Sequence, residues 1–322
     1  MRRIGVLTSG GDAPGMNATV RAVVRSADHA GVATTGIMDG WNGAIEGRFL
    51  ALDSRTVSGI LGQGGTLLGT VRSEAFYTRQ GRATAAATLG QAGIDGLVVI
   101  GGNGSYRGAW ALHREHGIPV AGVPGTIDND LAGTDVSLGF DTAVNTALDA
   151  VDRIRDTATS HRRLFFIEVM GRESGQLALA TALAGGATEA VVAERPTDAV
   201  EVADHIRGAF ELGKRFCLIV VAEGDESGGA TALAEKISAT LEVDYRVATL
   251  GHLQRGGSPT ARDRLLAARL GDAAVRGLVR GDPAVALGEQ RGEVVQVPIE
   301  QAVGKDLPPV DELLSLMDRL AR

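Results

Sequence analysis

The sequence holds a single cysteine, Cys217, so an internal disulfide is excluded. That thiol lies in the apolar run Phe216-Cys217-Leu218-Ile219-Val220-Val221, which reads as a buried strand. A small core hydrophobe is the expectation there, rather than a nucleophile. An excess of basic charge is also lacking: the net charge is -7 and the pI near 5.5, which excludes the broad positive footprint of a nucleic-acid-binding domain. Only local arginine clusters are left to meet an anion. No apolar run reaches the roughly 20 residues of a membrane-spanning helix. The opening Met1-Arg2-Arg3-Ile4-Gly5-Val6-Leu7 is too short for the apolar core of an export signal. A cytoplasmic protein is the expectation. Aromatics are few, at 4%, whereas glycine is abundant at 45 of 322 residues. The glycines form pairs at the ends of apolar runs: Gly10-Gly11, Gly64-Gly65, Gly101-Gly102 and Gly256-Gly257. Such placement suits loops where backbone closely approaches a ligand.

The length fits one large or two ordinary domains, and a hydrophobic content of 44% argues against disorder. Short apolar runs at 4–7, 97–100, 120–123, 164–169 and 216–221 read as strands, with a weaker one at 35–38. Helices are expected at 16–29, where Val20, Val23, Val24 and Ala27 share a face, and at 106–115. The clearest is 141–156, with Val144, Leu148, Val151 and Ile154 at helical spacing. Further helices are expected at 198–212 and 261–278, and a short one after Leu307-Pro308-Pro309-Val310. Alternating strands and helices imply βαβ units, and uniformly apolar strands imply sheets covered on both faces. The expectation is an α/β protein of two domains, each a mostly parallel sheet flanked by helices, with a boundary near Phe140.

Four groups of residues carry candidate chemistry. Thr8-Ser9-Gly10-Gly11-Asp12-Ala13-Pro14-Gly15-Met16-Asn17 joins a strand to a helix, where free N–H groups favour phosphate. It lacks the Gly-Lys-Ser/Thr of a Walker A loop, and a plain tight turn is the competing reading. Gly101-Gly102-Asn103-Gly104-Ser105 is a second strand–helix turn, in which Ser105 either caps the helix or meets a phosphate. Two such turns in one sheet suggest a crevice at the strand C-termini. In Gly125-Thr126-Ile127-Asp128-Asn129-Asp130, two carboxylates close together can divide proton abstraction and metal coordination, or simply bond their own backbone in a turn. Finally Arg72, Arg163, Arg172, Arg246 and Arg255, with His252, lie beside turns or strand ends. Their guanidinium forks suit phosphate oxygens.

In this order and spacing, over nearly the whole chain, these motifs resemble the bacterial 6-phosphofructokinases. The segments 7–17, 64–72, 101–105, 124–130, 155–161 (ending in His161), 168–172 and 250–259 carry the likeness. The resemblance implies two α/β domains with the active site in their cleft, commonly in a homotetramer. It implies that 1–140 with about 252–302 binds nucleotide and that 141–251 with about 303–322 binds sugar phosphate. It further implies ATP and Mg2+, with Asp128 taking the proton from the 1-hydroxyl of fructose 6-phosphate, and Arg72, Thr126 and Arg172 beside it as catalytic residues. Gly11, Arg72, Ser73, Gly102, Asn103, Gly104 and Ser105 would line the nucleotide. Trp41 stands where an aromatic often flanks adenine, with Phe76 and Arg82 nearby; a core tryptophan is the other reading. Asn103 and Asp130 fall at the metal. Thr126, Ile127, Asp128, Met170, Gly171, Arg172, Glu223, His252, Leu253, Gln254 and Arg255 would hold the sugar phosphate, and Arg163 and Arg246 would reach that of a neighbouring subunit. Pyrophosphate-dependent relatives typically carry Asp at position 104 and Lys at 125. Both are glycine here, which favours ATP.

The sequence departs from the pattern at position 103, where Asn replaces the usual Asp and removes a charge that a hard cation prefers. An adequate metal site, a slower natural enzyme and an introduced substitution all fit. The effector site, which binds ADP or phosphoenolpyruvate in the family, is partly kept in Arg21, Arg25, Arg55, Arg155, Lys214 and Arg215. Ser54 and Thr188 replace an Arg and a Glu, so weak or altered regulation is expected. Two alternatives stand beside the ATP-dependent kinase. One is a weakened homologue serving as a binding or regulatory subunit. The other is a pyrophosphate-dependent or related sugar-phosphate kinase.

Overall fold

The structure, a computed structural model, describes residues 1–158, 163–303 and 309–320. His161, at the end of one motif, and Leu307-Pro308 lie outside the described residues. The chain separates into two compact units, Met1–Thr142 with Arg255–Leu307, and Ala143–Gln254 with Pro308–Arg322.

In chain order the elements are β1 (Arg3–Ser9), α1 (Met16–His29), β2 (Ala33–Ile37), α2 (Trp41–Glu46), β3 (Phe49–Leu52), α3 (Arg79–Gln91), β4 (Gly96–Gly101), α4 (Asn103–His116) and β5 (Val120–Pro124). Next come α5 (Phe140–Ala158), β6 (Leu164–Val169), α6 (Gln176–Ala184), β7 (Glu189–Val191), α7 (Ala199–Glu211), β8 (Cys217–Ala222), α8 (Gly229–Leu241) and β9 (Tyr245–Thr249). The remainder are α9 (Ala261–Arg280), β10 (Ala284–Gln290), β11 (Glu293–Pro298), α10 (Ile299–Ala302) and α11 (Asp311–Leu320).

The first unit holds a seven-stranded sheet in the order β11-β10-β5-β4-β1-β2-β3. Its five inner strands are parallel, while β3 and β11 close the two edges antiparallel. β1 and β4 are buried almost throughout, as a sheet covered on both faces requires. On α1 the expected face of Val20, Val23, Val24 and Ala27 is buried. The chain runs from β1 outward to β2 and β3, then returns to place β4 on the other side of β1. That reversal makes the C-terminal ends of β1 and β4 a topological switch point. The second unit holds a four-stranded parallel sheet, β7-β8-β6-β9. Cys217 opens β8 fully buried, and burial pushes its thiol pKa up. It is a core residue there.

Candidate active site

Three loops leave adjacent strand ends in the first unit. Ser9 pairs with Gly101 and Gly101 with Pro124, so the loops after β1, β4 and β5 emerge side by side. Ser105 stitches the first two together: its hydroxyl donates to the Ser9 carbonyl at 2.9 Å. A Cβ at position 101 would meet the Ser105 Oγ and the Ser9 carbonyl, each at 2.4 Å, so this crossing requires glycine. Ser105 therefore does not cap α4. The N-cap is Gly102, with no side-chain cap.

The helix starts divide into two kinds. Side chains cap α3 (Thr78), α7 (Asp198) and α9 (Thr260). By contrast α1 and α4, which follow the two glycine turns, have neither a side-chain cap nor an acidic residue in the first turn, as is also true of α2, α6 and α8. At α4 the exposed turn at Gly104 leaves the helix start open to an anion, whereas at α1 the Met16 amide donates to the Ala13 carbonyl and the first turn is buried.

Residues without an assigned role in the sequence reading hold the loop at 63–72 against the first turn. Asn17, buried on α1, donates to the carbonyls of Gln63 and Gly64 and accepts from the Leu67 amide at 2.6 Å. Thr8 donates to the Gly69 carbonyl, and Thr70 donates to the Gly10 carbonyl at 2.7 Å. The loop then delivers Arg72, exposed, and Ser73, buried and accepting from the Phe76 amide. The presence of Asn17 inside the first motif was the only sequence signal for this brace. Arg255 lies across the same turn. Its guanidinium approaches Asp12 at 3.9 Å and occupies the space in which a Cβ on Gly11 would sit.

In the third loop Asp128 is 6% exposed, and its amide donates to the Thr126 hydroxyl. Asn129 takes a left-handed conformation, φ 49°, that Asn tolerates. It accepts from the Ser137 amide at 2.8 Å, while Ser137 donates to the Thr126 carbonyl. The loop is thus braced by the segment at 135–138, not by Asn129 alone. Ile127 is buried beneath it. Asp130 faces Asn103, whose Nδ2 donates to Asp130 Oδ2 at 2.8 Å and to the Asp130 carbonyl at 3.3 Å. The other oxygen, Oδ1, is buried with no partner. An orphaned acceptor of this kind suits a divalent cation. Among the described residues no three His, Cys, Asp or Glu side chains converge on a metal position. The donor set fits Mg2+ whose other ligands are phosphate oxygens and water.

Trp41 is 5% exposed and stacks on Phe76, ring centroids 4.1 Å apart, within the core of this unit. Arg82 clamps the same region, donating to the carbonyls of Phe76 and Tyr77 and bonding both oxygens of Glu115. At Gly125 a Cβ would press on Ile100 at 2.9 Å, so a longer side chain is excluded without rearrangement. At Gly104 nothing lies within 4 Å.

In the second unit Met170 follows β6, Glu223 follows β8, and His252 and Leu253 follow β9, again at strand C-termini. The Met170 amide donates to Gln254 Oε1 at 2.8 Å, and the Arg172 amide donates to Glu223 Oε1 at 3.1 Å. Gly171 has φ 140°, and a Cβ there would strike the Ser174 carbonyl. These residues are brought together. Arg163 and Arg246 are not with them. Arg163 immediately precedes β6, and Arg246 pairs with Phe165 near the start of β9. Both therefore stand at the opposite end of this sheet, roughly 20 Å away by strand rise.

The effector candidates are also divided. Arg21 and Arg25 lie on α1 and Arg55 in the loop after β3, all in the first unit; Arg155, Lys214 and Arg215 lie in the second. Arg155 is already engaged, donating to the carbonyls of Gly185 and Gly186, and Ser54 donates to Asp28 at 2.8 Å.

Residues 3–278 match the family Phosphofructokinase. The chain is 56% identical over 321 residues to the ATP-dependent 6-phosphofructokinase 1 of Thermus thermophilus, covering all of both sequences. It is 50% identical to the ATP-dependent 6-phosphofructokinase of Bacillus subtilis, covering 92% of each. Among solved structures, phosphofructokinase of Saccharomyces cerevisiae superposes with a TM-score of 0.87 at 34% identity, over 99% of this chain and 46% of the larger yeast chain. A pyrophosphate-dependent phosphofructokinase of Marinobacter aquaeolei shares the fold, with a TM-score of 0.86 at 21% identity over 98% of this chain and 91% of that one. The chain belongs to the phosphofructokinase family.

Proposed function

We infer that this chain transfers the γ-phosphoryl group of ATP to fructose 6-phosphate, giving fructose 1,6-bisphosphate in the cytoplasm. The observation that carries the reading is the meeting of the two glycine turns and the Asp128 loop at adjacent strand ends beside the switch point. Full-length similarity to ATP-dependent enzymes supports the donor, as do glycines at 104 and 125. At Gly125 a side chain would need Ile100 to shift, which adds support to the same reading.

The chemistry follows from what each group offers. Asp128 accepts the proton of the attacking 1-hydroxyl. Arg72 and the N–H groups opening α4 balance charge on the transferred phosphoryl, the main catalytic device in such reactions. Asp130, whose Oδ1 is buried without a partner, would hold a Mg2+ ion that when bound would supply charge neutralisation for the transferred phosphoryl. Gly11, Ser73, Gly102, Asn103, Gly104 and Ser105 line the nucleotide, and Trp41 with Phe76 backs it. Met170, Gly171, Arg172, Glu223, His252, Leu253, Gln254 and Arg255 hold the sugar phosphate. A coupled assay with fructose 6-phosphate should show turnover with ATP and Mg2+, and turnover at least 100-fold lower with pyrophosphate. Comparable rates with the two donors would overturn the donor assignment.

Arg163 and Arg246, at the far end of their sheet, act on the sugar phosphate of a neighbouring subunit in a homotetramer. Asp128→Asn and Arg246→Ala chains should each be nearly inactive alone. Mixed and reassembled, they should recover about a quarter of native activity, since a paired interface restores one complete site in half of the pairs. A fully active monomer on a sizing column would refute the shared site. At the effector site, Ser54 and Thr188 stand where an Arg and a Glu are usual, which supports weak or altered regulation by ADP or phosphoenolpyruvate.

A further inference from the structure

We propose that Asn103 is not a metal ligand but a fixed hydrogen-bond donor that positions Asp130, leaving a bound divalent cation a single protein carboxylate oxygen. This rests on the nucleotide-site reading given above. Position 103 opens α4 directly after Gly102, so its side chain is held at the helix start. The group it faces decides its orientation. Asp130 presents two acceptors, its Oδ2 at 2.8 Å and its main-chain carbonyl at 3.3 Å. An ionised carboxylate and a carbonyl have no proton to give, so the amide nitrogen, not the amide oxygen, must point at them. The amide nitrogen thus occupies the Oδ2 side of Asp130. Asp130 Oδ1 is then the one oxygen of this pair that is buried and unsatisfied.

The consequence is a change in what binds first. Two carboxylates facing one another repel unless a cation lies between them, so they recruit a free divalent ion. One carboxylate already satisfied by an amide on one side does not. The cation therefore binds this chain only as part of a metal–nucleotide complex, with the phosphates supplying most of its ligands. Asn103 replaces the charge of a resident ion with an N–H that is always present, so the Asp130 loop is in place without metal.

Mn2+ alone, titrated into nucleotide-free protein and followed by the electron paramagnetic resonance of the free ion, tests this without any turnover. The native chain should show no site tighter than the millimolar range, and a non-hydrolysable ATP analogue should create one. The Asn103→Asp chain should bind Mn2+ in the absence of nucleotide at least 10-fold more tightly than native. It should also melt lower in chelator than in Mg2+, while the native melting temperature is indifferent to Mg2+. Adding Asp130→Asn to Asn103→Asp should abolish the gained site. Micromolar Mn2+ binding by the native, nucleotide-free chain would overturn the proposal, as would equal binding by the native and Asn103→Asp chains. If the variant fails to fold, the native titration with and without the analogue still decides. The coupled assay separately tests the kinase reading, so either can fail alone.

Discussion

Replacing Asp128 with asparagine should lower kcat by about 10²–10⁴-fold, the range that a positioned general base contributes. The change is nearly isosteric. Three of the contacts that shape the loop do not involve the lost charge: the Asp128 amide on Thr126, Asn129 on the segment at 135–138, and Ser137 on the Thr126 carbonyl. KM for ATP should accordingly stay within a few-fold, and the melting temperature should match that of the native chain. Steady-state kinetics on both substrates, with thermal melting as the control for folding, makes the measurement. A variant retaining a tenth or more of native kcat would remove Asp128 from the role of base.

The second large effect is on stability and lies at Asp263. This carboxylate is fully buried on the first turn of α9. One oxygen accepts from the Gly139 amide, and the other accepts from the amide and the hydroxyl of Thr142. It thus caps the start of α5 from a neighbouring helix. Thr260, the cap of α9, donates in return to Asp141 at 2.6 Å. Asp263→Ala would leave the buried amides of Gly139 and Thr142 without this acceptor, each costing about 1–3 kcal/mol. The apparent melting temperature should fall by roughly 5–20 °C, given about 2–4 °C per kcal/mol for domains of this size. A fall under 2 °C would show that water or a shifted backbone replaces the carboxylate.

Burial pushes the Asp263 carboxyl above its ordinary range, and the hydrogen bonds from Thr142 and Gly139 only partly oppose this. The sign of the pH effect follows. The folded chain holds this proton at a higher pH than the unfolded chain, so protonation favours the fold. The contribution of Asp263 is present at low pH and is lost as pH rises from the ordinary carboxylate value through the raised one. Relative to an Asp263→Asn chain, the native protein should therefore gain stability as pH falls from neutrality.

The α/β class was readable because strands such as Leu97–Ile100 and Val120–Val123 are apolar on both faces and are followed by helices with one apolar stripe. The helix starts were harder. Asn103-Gly104-Ser105 has the composition of a loop, yet α4 begins at Asn103, because Ser105 is tied across to β1 and the turn ends within Gly102. α6 escaped a periodicity search because it is apolar all round, with Leu177, Ala178 and Leu179 all fully buried. β7 has three residues, too few for any pattern, and half-buried β11 shows no clean alternation. On α5 the expected face carries only part of the burial: Ala143, Ala147 and Val151 are fully buried, whereas Val144, Leu148 and Ile154 are half-buried. Small residues let the helix approach closely, and a search for large apolar side chains passes over them.

The candidate site was legible wherever a motif has a local signature, as in the glycine turns and the Asp128 loop. What sequence could not supply was orientation. Whether the Asn103 amide presents its oxygen or its nitrogen depends on Asp130, 27 residues away in the chain. That Arg163 and Arg246 stand at the opposite end of their sheet from Met170 and Glu223 depends on strand register.

The first unit is sewn from two stretches of chain, and this has a bearing on how the polypeptide is made. Its sheet is incomplete until β10 has paired with β5, and α1 gains its main helical neighbour only when α9 exists. On a ribosome, β1 through β5 therefore emerge long before the strands and helix that seal them, while the residues of the second unit are being added in between. The stretch that carries α9 and β10 is the keystone of the first unit. Shortening it should be felt by the nascent chain as exposed sheet and recruitment of chaperones, well before any loss at the active-site loops is noticed.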